Sequence, residues 1–103
     1  MFFHFILAKV LIYDTQYEER HVDRVVERNG ITYAHESKNA RRPVPAGTHA
    51  LKEALKDADL IQTEAQAGRT YVPVWHFWDA GPVHQLANVL KAFGIRYIVY
   101  NPK

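Results

Sequence analysis

Any chemistry in this chain must come from carboxylates, imidazoles and a few cations, because it contains no cysteine. Thiolate nucleophiles, disulfides and cysteine zinc sites are therefore excluded. The six histidines are His4, His21, His35, His49, His76 and His84, and no two form a His-x-x-x-His pair. Glu18 and His21 make a single Glu-x-x-His, whereas carboxylate di-metal bundles need two such motifs on facing helices. The histidines read as scattered structural residues, and no metal site is expected. Ser37 is the only serine and lacks the flanking glycines of a nucleophile elbow. Neither Gly-x-Gly-x-x-Gly nor Gly-Lys-Ser/Thr occurs, so dinucleotide and P-loop chemistry have no motif, and no cofactor is expected. Lys38, Arg41 and Arg42 form a basic group. Without a stacking aromatic beside them they read as a solvated loop, and nucleic acid is not the expected partner.

Several polar residues fall where strands should hand over to helices. They are Asp14, Thr15 and Gln16, then Glu36 and Ser37, then Trp78, Asp79 and Gly81. Ligands of open α/β sheets bind beyond the carboxyl ends of the strands. Thr15 and Glu18 have capping-box spacing, and Glu18 and Glu19 would occupy the positive end of a helix that follows. That favours capping over anion binding there. At Gly81 the backbone could approach an anion closely, with only Asp79 nearby.

The elements that would position these residues follow from periodicity. The central stretch, Tyr71 to Phe77, is apolar at odd and even positions alike, which suits a buried strand covered on both faces. Lys9 to Asp14 reads as an earlier strand, with Phe2 to Ala8 extending or preceding it. Val22, Val25 and Val26 make a helical stripe, so a helix is expected from about Gln16 to Asn29, stopped by Gly30. Ile31 to His35 is a second strand, and Glu36 to Thr48 a loop. Leu51, Leu55, Ala58, Ile61 and Ala65 recur at steps of three and four, giving a long helix capped by Thr48 and ended by Gly68. A short strand over Asp59 to Thr63 is the alternative there. Pro82 opens a last helix that Gly94 ends, and Ile95 to Tyr100 is a final strand. The expected fold is a three-layer αβα sandwich with a four-stranded sheet in β-α-β-α-β-α-β order, one α/β domain over residues 1–103.

Apolar residues make up 48% of the chain, charged residues 23%, and the net charge is +2. That balance is ordinary for a folded soluble protein and does not call for an acidic partner. The greasy start, Met1 to Ala8, is interrupted by Lys9. It is too short for a membrane helix and lacks the features of a signal peptide, so a cytoplasmic protein is expected.

Two stretches resemble glutaredoxins and thioredoxin-like domains. Val10-Leu11-Ile12-Tyr13, a helix, and Asn29-Gly30-Ile31-Thr32-Tyr33 are similar to the opening strand, redox helix and second strand. Tyr71-Val72-Pro73-Val74 is similar to the Thr-Val-Pro step, whose proline is cis and shapes the substrate groove. The resemblance places the family's Cys-x-x-Cys near Gln16 and Glu19, so thiol redox chemistry is absent. The chain departs from the family in having no room for a hairpin strand after Phe77 and in carrying an extra final strand. A flavodoxin-like, all-parallel sheet accommodates both departures. The leading expectation is a non-catalytic, redox-inactive thioredoxin-like domain that binds a protein partner or itself. Its groove would be lined by Gln16, Tyr17, Val72, Pro73 and Asp79. The alternative is a small flavodoxin-like protein binding a nucleotide or other small anion at Asp14, Thr15, Glu36 and Asp79.

Overall fold

A computed structural model describes residues 5–100, with the side chains of residues 5–11 outside the description. The element order is β1 (Phe5–Thr15), β2 (Glu18–Arg28), β3 (Ile31–Ala40), α1 (Thr48–Gln66), β4 (Thr70–Asp79), α2 (His84–Ala92) and β5 (Arg96–Tyr100). These form a five-stranded mixed sheet in the order β1-β2-β3-β4-β5. The first three strands are antiparallel, and β4 and β5 then add in parallel.

The largest correction is at residues 18–28, where a strand stands in place of the expected helix. Asn29 and Gly30 take φ of 53° and 78°, the doubly positive pair that a two-residue hairpin turn requires. The helical stripe has a specific origin. Lys9 pairs with Val25 and Leu11 with Val22, so β2 carries one extra residue against β1, a β-bulge at Asp23–Arg24. That bulge puts Val22 and Val25, three apart, on one face of a strand, where an unbroken strand would space them by two. Thr15 and Glu18 do meet, but in a hairpin turn. The Thr15 hydroxyl donates to the Glu18 carbonyl and accepts from the Tyr17 amide.

The sheet has five strands, not four, and two layers, not three. Trp75 and Phe77 of β4, Ala50 and Ala54 of α1, and Leu86 and Leu90 of α2 share one core, so both helices cover the same face. Val22, Val25, Ala34, Leu60 and Tyr71 form a second core beneath the other end of α1. On the opposite face, no described helix covers Tyr33, His35, Val72, His76, Trp78 and Ile98.

The long helix over residues 48–66 is present, and the alternative strand at 59–63 is not. Its N-cap is Gly47, without a side-chain cap bond, where Thr48 was expected. The last helix begins two residues after Pro82. β3 runs five residues past His35, so Glu36 to Ala40 is strand and not loop. Among the described residues there is no cis peptide bond, so Val72–Pro73 is trans and the cis-proline groove does not form. Pro73 sits opposite Ala34 of β3, and β5 begins pairing only at Val74. The imide therefore lies where β4 has a neighbour on one side, the setting in which strands tolerate proline. The sheet is mixed, so it is not the all-parallel flavodoxin-like arrangement either. No described helix is long and apolar enough to cross a membrane.

Candidate functional site

The pairing of β2 with β3 stops at Arg24–His35, although β2 extends back to Glu18 and β3 on to Ala40. Beyond that pair β2 follows β1, and β3 follows β4. The sheet therefore splits between its second and third strands. The bulge at Asp23–Arg24 lies where the split begins, and it re-aims Asp23. Its carboxylate accepts from the Ser37 amide at 3.0 Å, standing in for the ladder partner that β2 no longer provides.

Charged side chains fill the split beneath α1. Arg20 is 3% exposed. Its Nε donates to Asp57 Oδ1 at 2.8 Å, and its terminal nitrogens reach Glu36 and Glu53 at 3.3–3.4 Å. Asp57 also accepts from Trp75 Nε1 at 2.8 Å. Glu36 and Lys38 point the same way because strand residues two apart share a face. Lys38 Nζ lies 3.2 Å from Glu36 Oε2, bonds Glu53, and sits 5.3 Å over the Trp75 ring. Outside this ring of contacts, exposed His49 stands 3.5 Å from Glu53.

The protonation states follow from burial and charge. Burial works against the Arg20 charge, but Asp57, Glu36 and Glu53 outweigh it and keep the guanidinium protonated. Lys38 is likewise held above its ordinary value by Glu53 and Glu36, against its burial. Burial and the neighbouring Glu53 push the Glu36 carboxyl up to about 7, against Arg20 and Lys38, and Asp23 adds its repulsion. Asp23 thus reaches the backbone one residue from Glu36 where β2 and β3 part, and Lys38 bridges Glu36 to Glu53 of α1. Among the described residues no three His, Asp or Glu side chains form a complete metal cage. A hard divalent cation such as Mg²⁺ needs no such cage, since it binds through one or two carboxylates plus substrate phosphate oxygens. Asp23 and Glu36 are oxygen donors of the kind such an ion takes.

A groove of about 510 Å³ continues from Lys38 past Asn39 to Arg41 and Arg42. The first turn of α1 adds no acidic residue opposite it.

The residues singled out from sequence scatter around this cleft. Asp14, Thr15, Gln16 and Tyr17 form the β1–β2 turn, and Gln16 donates through its backbone and side chain to Asp59 of α1 at 3.1 and 2.8 Å. Glu19 is exposed near the start of β2. Val72 and Pro73 lie mid-β4 opposite Tyr33 and Ala34, and Asp79 ends that strand opposite Ala40. The β1–β2 turn and Asp79 lie toward one end of the sheet, with β2 and β3 between them, and Val72 and Pro73 lie toward the other end, so these residues do not form one groove. At Gly81 the close approach is made by the Val99 side chain, 2.9 Å from where a Cβ would stand. Of the strand-end residues only Glu36 lies in the cleft. Asp23, Arg20, Glu53 and Asp57 carry no signal outside the fold. Lys38 had one, because Glu36-x-Lys38 puts two opposite charges on one face of any strand.

No protein-family model and no curated protein matches the chain. Two solved structures do. One is the crystal structure of a protein of unknown function, AF1548, with TM-score 0.61 and 22% identity over 98% of this chain and 51% of that one. The other is EndoMS in a complex with double-stranded DNA, with TM-score 0.54 and 13% identity over 93% of this chain and 37% of that one. The likeness is of fold, and the chain spans about half of the first neighbour's length and less of the second's.

Proposed function

We propose that the chain is a nuclease domain that hydrolyses phosphodiester bonds with a divalent metal ion. One observation carries the reading: where the pairing of β2 with β3 ends at Arg24–His35, Asp23 bonds the Ser37 amide, between Glu36 and Lys38, which are themselves paired. Arg41 and Arg42, which share the groove beyond Lys38 with Pro43, Val44 and Pro45, supply charge for a polyanion. A neighbour of the same fold is recorded in complex with double-stranded DNA. The reading keeps the sequence-based idea of an anionic ligand at the strand ends, with Glu36 as the one residue retained from it. It reverses the expectation that nucleic acid is not a partner.

Asp23 and Glu36 are the residues that would hold the ion. Such an ion, when bound, polarises a phosphoryl oxygen and acidifies a bound water. Lys38 places a fixed positive charge beside Glu36, where the phosphorane-like transition state gathers negative charge. Hydrolysis then adds one water oxygen to phosphorus, breaks one P–O ester bond and sends the water's second proton to the departing alkoxide. Arg20 touches no substrate in this scheme. It pairs with Glu36 from the buried side and fixes where that carboxylate stands.

The test is cleavage of plasmid DNA, single-stranded DNA and RNA by the purified chain with Mg²⁺, Mn²⁺ or EDTA. Metal-dependent cleavage that falls about 10²–10³-fold in Glu36→Gln and in Lys38→Ala is expected, the size associated with losing one transition-state contact. Absence of cleavage with every metal and substrate sinks the reading. The rival reading, a redox-inactive protein-binding domain, then gains, with the open face of the sheet as its support.

A further inference from the structure

The open face carries an aromatic ledge at the rim nearest the cleft. Trp78 is 42% exposed although it is the penultimate residue of β4. One face of its indole is backed by Tyr100 of β5, with ring centroids 4.0 Å apart and planes 11° from parallel. Tyr100 is fixed in turn by His76, whose Nδ1 lies 2.9 Å from the tyrosine hydroxyl. The ledge is thus pre-set by two neighbouring side chains, and the indole stays partly open to solvent.

The position matters as much as the chemistry. Trp78 stands directly opposite Asn39 of β3, and Asn39 lines the groove that holds Lys38, Arg41 and Arg42. Adjacent strands lie about 4.8 Å apart, so the ledge begins one strand from the basic groove, over the rim of the sheet. Asp79, next along β4, is an exposed carboxylate on the same rim.

We infer that Trp78, backed by Tyr100, stacks an unpaired base next to the phosphate held in the groove, which makes single-stranded nucleic acid the favoured substrate. The inference rests on the nuclease reading for its groove, and adds the substrate form. Sequence-tolerant binding of single strands combines a basic track with aromatic faces, and both are here. Bases within a duplex stack on one another and offer no free face to the ledge.

The test is fluorescence anisotropy of the metal-free chain, in EDTA, with a short labelled oligothymidylate and with a labelled DNA hairpin duplex. Trp78→Ala should weaken oligothymidylate binding about tenfold and leave hairpin binding nearly unchanged. Trp78→Phe, which keeps an aromatic face, should restore most of the loss. Circular dichroism confirms that both variants fold. The inference is overturned if Trp78→Ala binds the single strand as the parent does, if both ligands weaken equally, or if the parent binds no single strand. The two claims fail separately. Cleavage that depends on Glu36 with binding indifferent to Trp78 removes the ledge and leaves the nuclease. Binding that depends on Trp78 without cleavage in any metal does the reverse.

Discussion

The two faces of this sheet solve the problem of polar side chains in opposite ways. Under α1, the cations Arg20 and Lys38 are held among three carboxyl groups, Glu36, Glu53 and Asp57, in a largely buried cluster. On the open face, His35 Nδ1 and His76 Nε2 lie 2.7 Å apart and share one hydrogen bond, and His76 Nδ1 shares a second with the Tyr100 hydroxyl. Burial disfavours the charged form of both imidazoles. A covered charge must be paired permanently, whereas an uncovered network can use groups that change state.

The sharpest way to break the covered network is to remove its centre. Arg20→Met leaves Asp57, which is 1% exposed, without its main partner and costs about 3–5 kcal/mol in urea unfolding. Arg20→Met combined with Asp57→Leu should recover much of that loss, because no charge is then stranded between them. If the double variant is as unstable as the single, the pair matters through shape and not through charge. Next in size is Trp75→Phe, which keeps the ring in the core but takes away the donor to Asp57. Hydrogen bonds to charged groups are worth about 1.5–3 kcal/mol, and the loss should shrink once Asp57 has become Leu. Smaller still, and opposite in sign, is Tyr71→Phe. The Tyr71 hydroxyl is buried beside Tyr13 and finds no hydrogen-bond partner among the described residues. Its removal should stabilise the chain by about 1 kcal/mol.

The same contrast explains which parts of the molecule were legible from the sequence. β1, β4, β5 and both helices were legible as elements from their apolar patterning, although the buried residues of α1 are Ala50, Ala54, Asp57 and Leu60 and not the expected Leu51, Leu55, Ala58, Ile61 and Ala65. β2 did not, because the bulge at Asp23–Arg24 turns a spacing of two into three and makes a strand look helical. The Asn29-Gly30 turn was the available counter-signal, and it was read as a helix stop. β3 was cut short at His35 because Glu36, Ser37, Lys38 and Asn39 look like loop. They are strand because distant residues satisfy them. Asp23 takes the Ser37 amide, while Arg20 and Glu53 partner Glu36 and Lys38. The candidate site was illegible for the same reason, since its charges make sense only when β2 and α1 close on β3. The third layer was expected because Val72, Val74, His76 and Trp78 looked buried. Of these only Val74 is, and the His35–His76–Tyr100 chain occupies much of the rest.

The smallest predicted effect tests the two faces together, through pH. Burial holds both His35 and His76 below the ordinary histidine value of 6.5, His76 lowers His35 further, and Arg24 on β2 adds to both. Such groups bind protons less well folded than unfolded. Their contribution is therefore complete above about pH 6.5 and is lost as pH falls through their folded values. Glu36 does the opposite. Its folded value of about 7 lies above the ordinary 4.5, so acidification through that window protonates the folded state first and adds stability. Urea midpoints in metal-free buffer between pH 8 and about pH 5 should therefore record a partial cancellation. In Glu36→Gln the compensating gain is absent, and stability should fall more steeply on acidification than in the parent. In His35→Phe combined with His76→Phe the loss is absent, and stability should fall less or rise. Parallel pH profiles in all three proteins would mean that neither face titrates in this range. The contrast between locked charges and an adjustable neutral chain would then be one of geometry and not of proton binding.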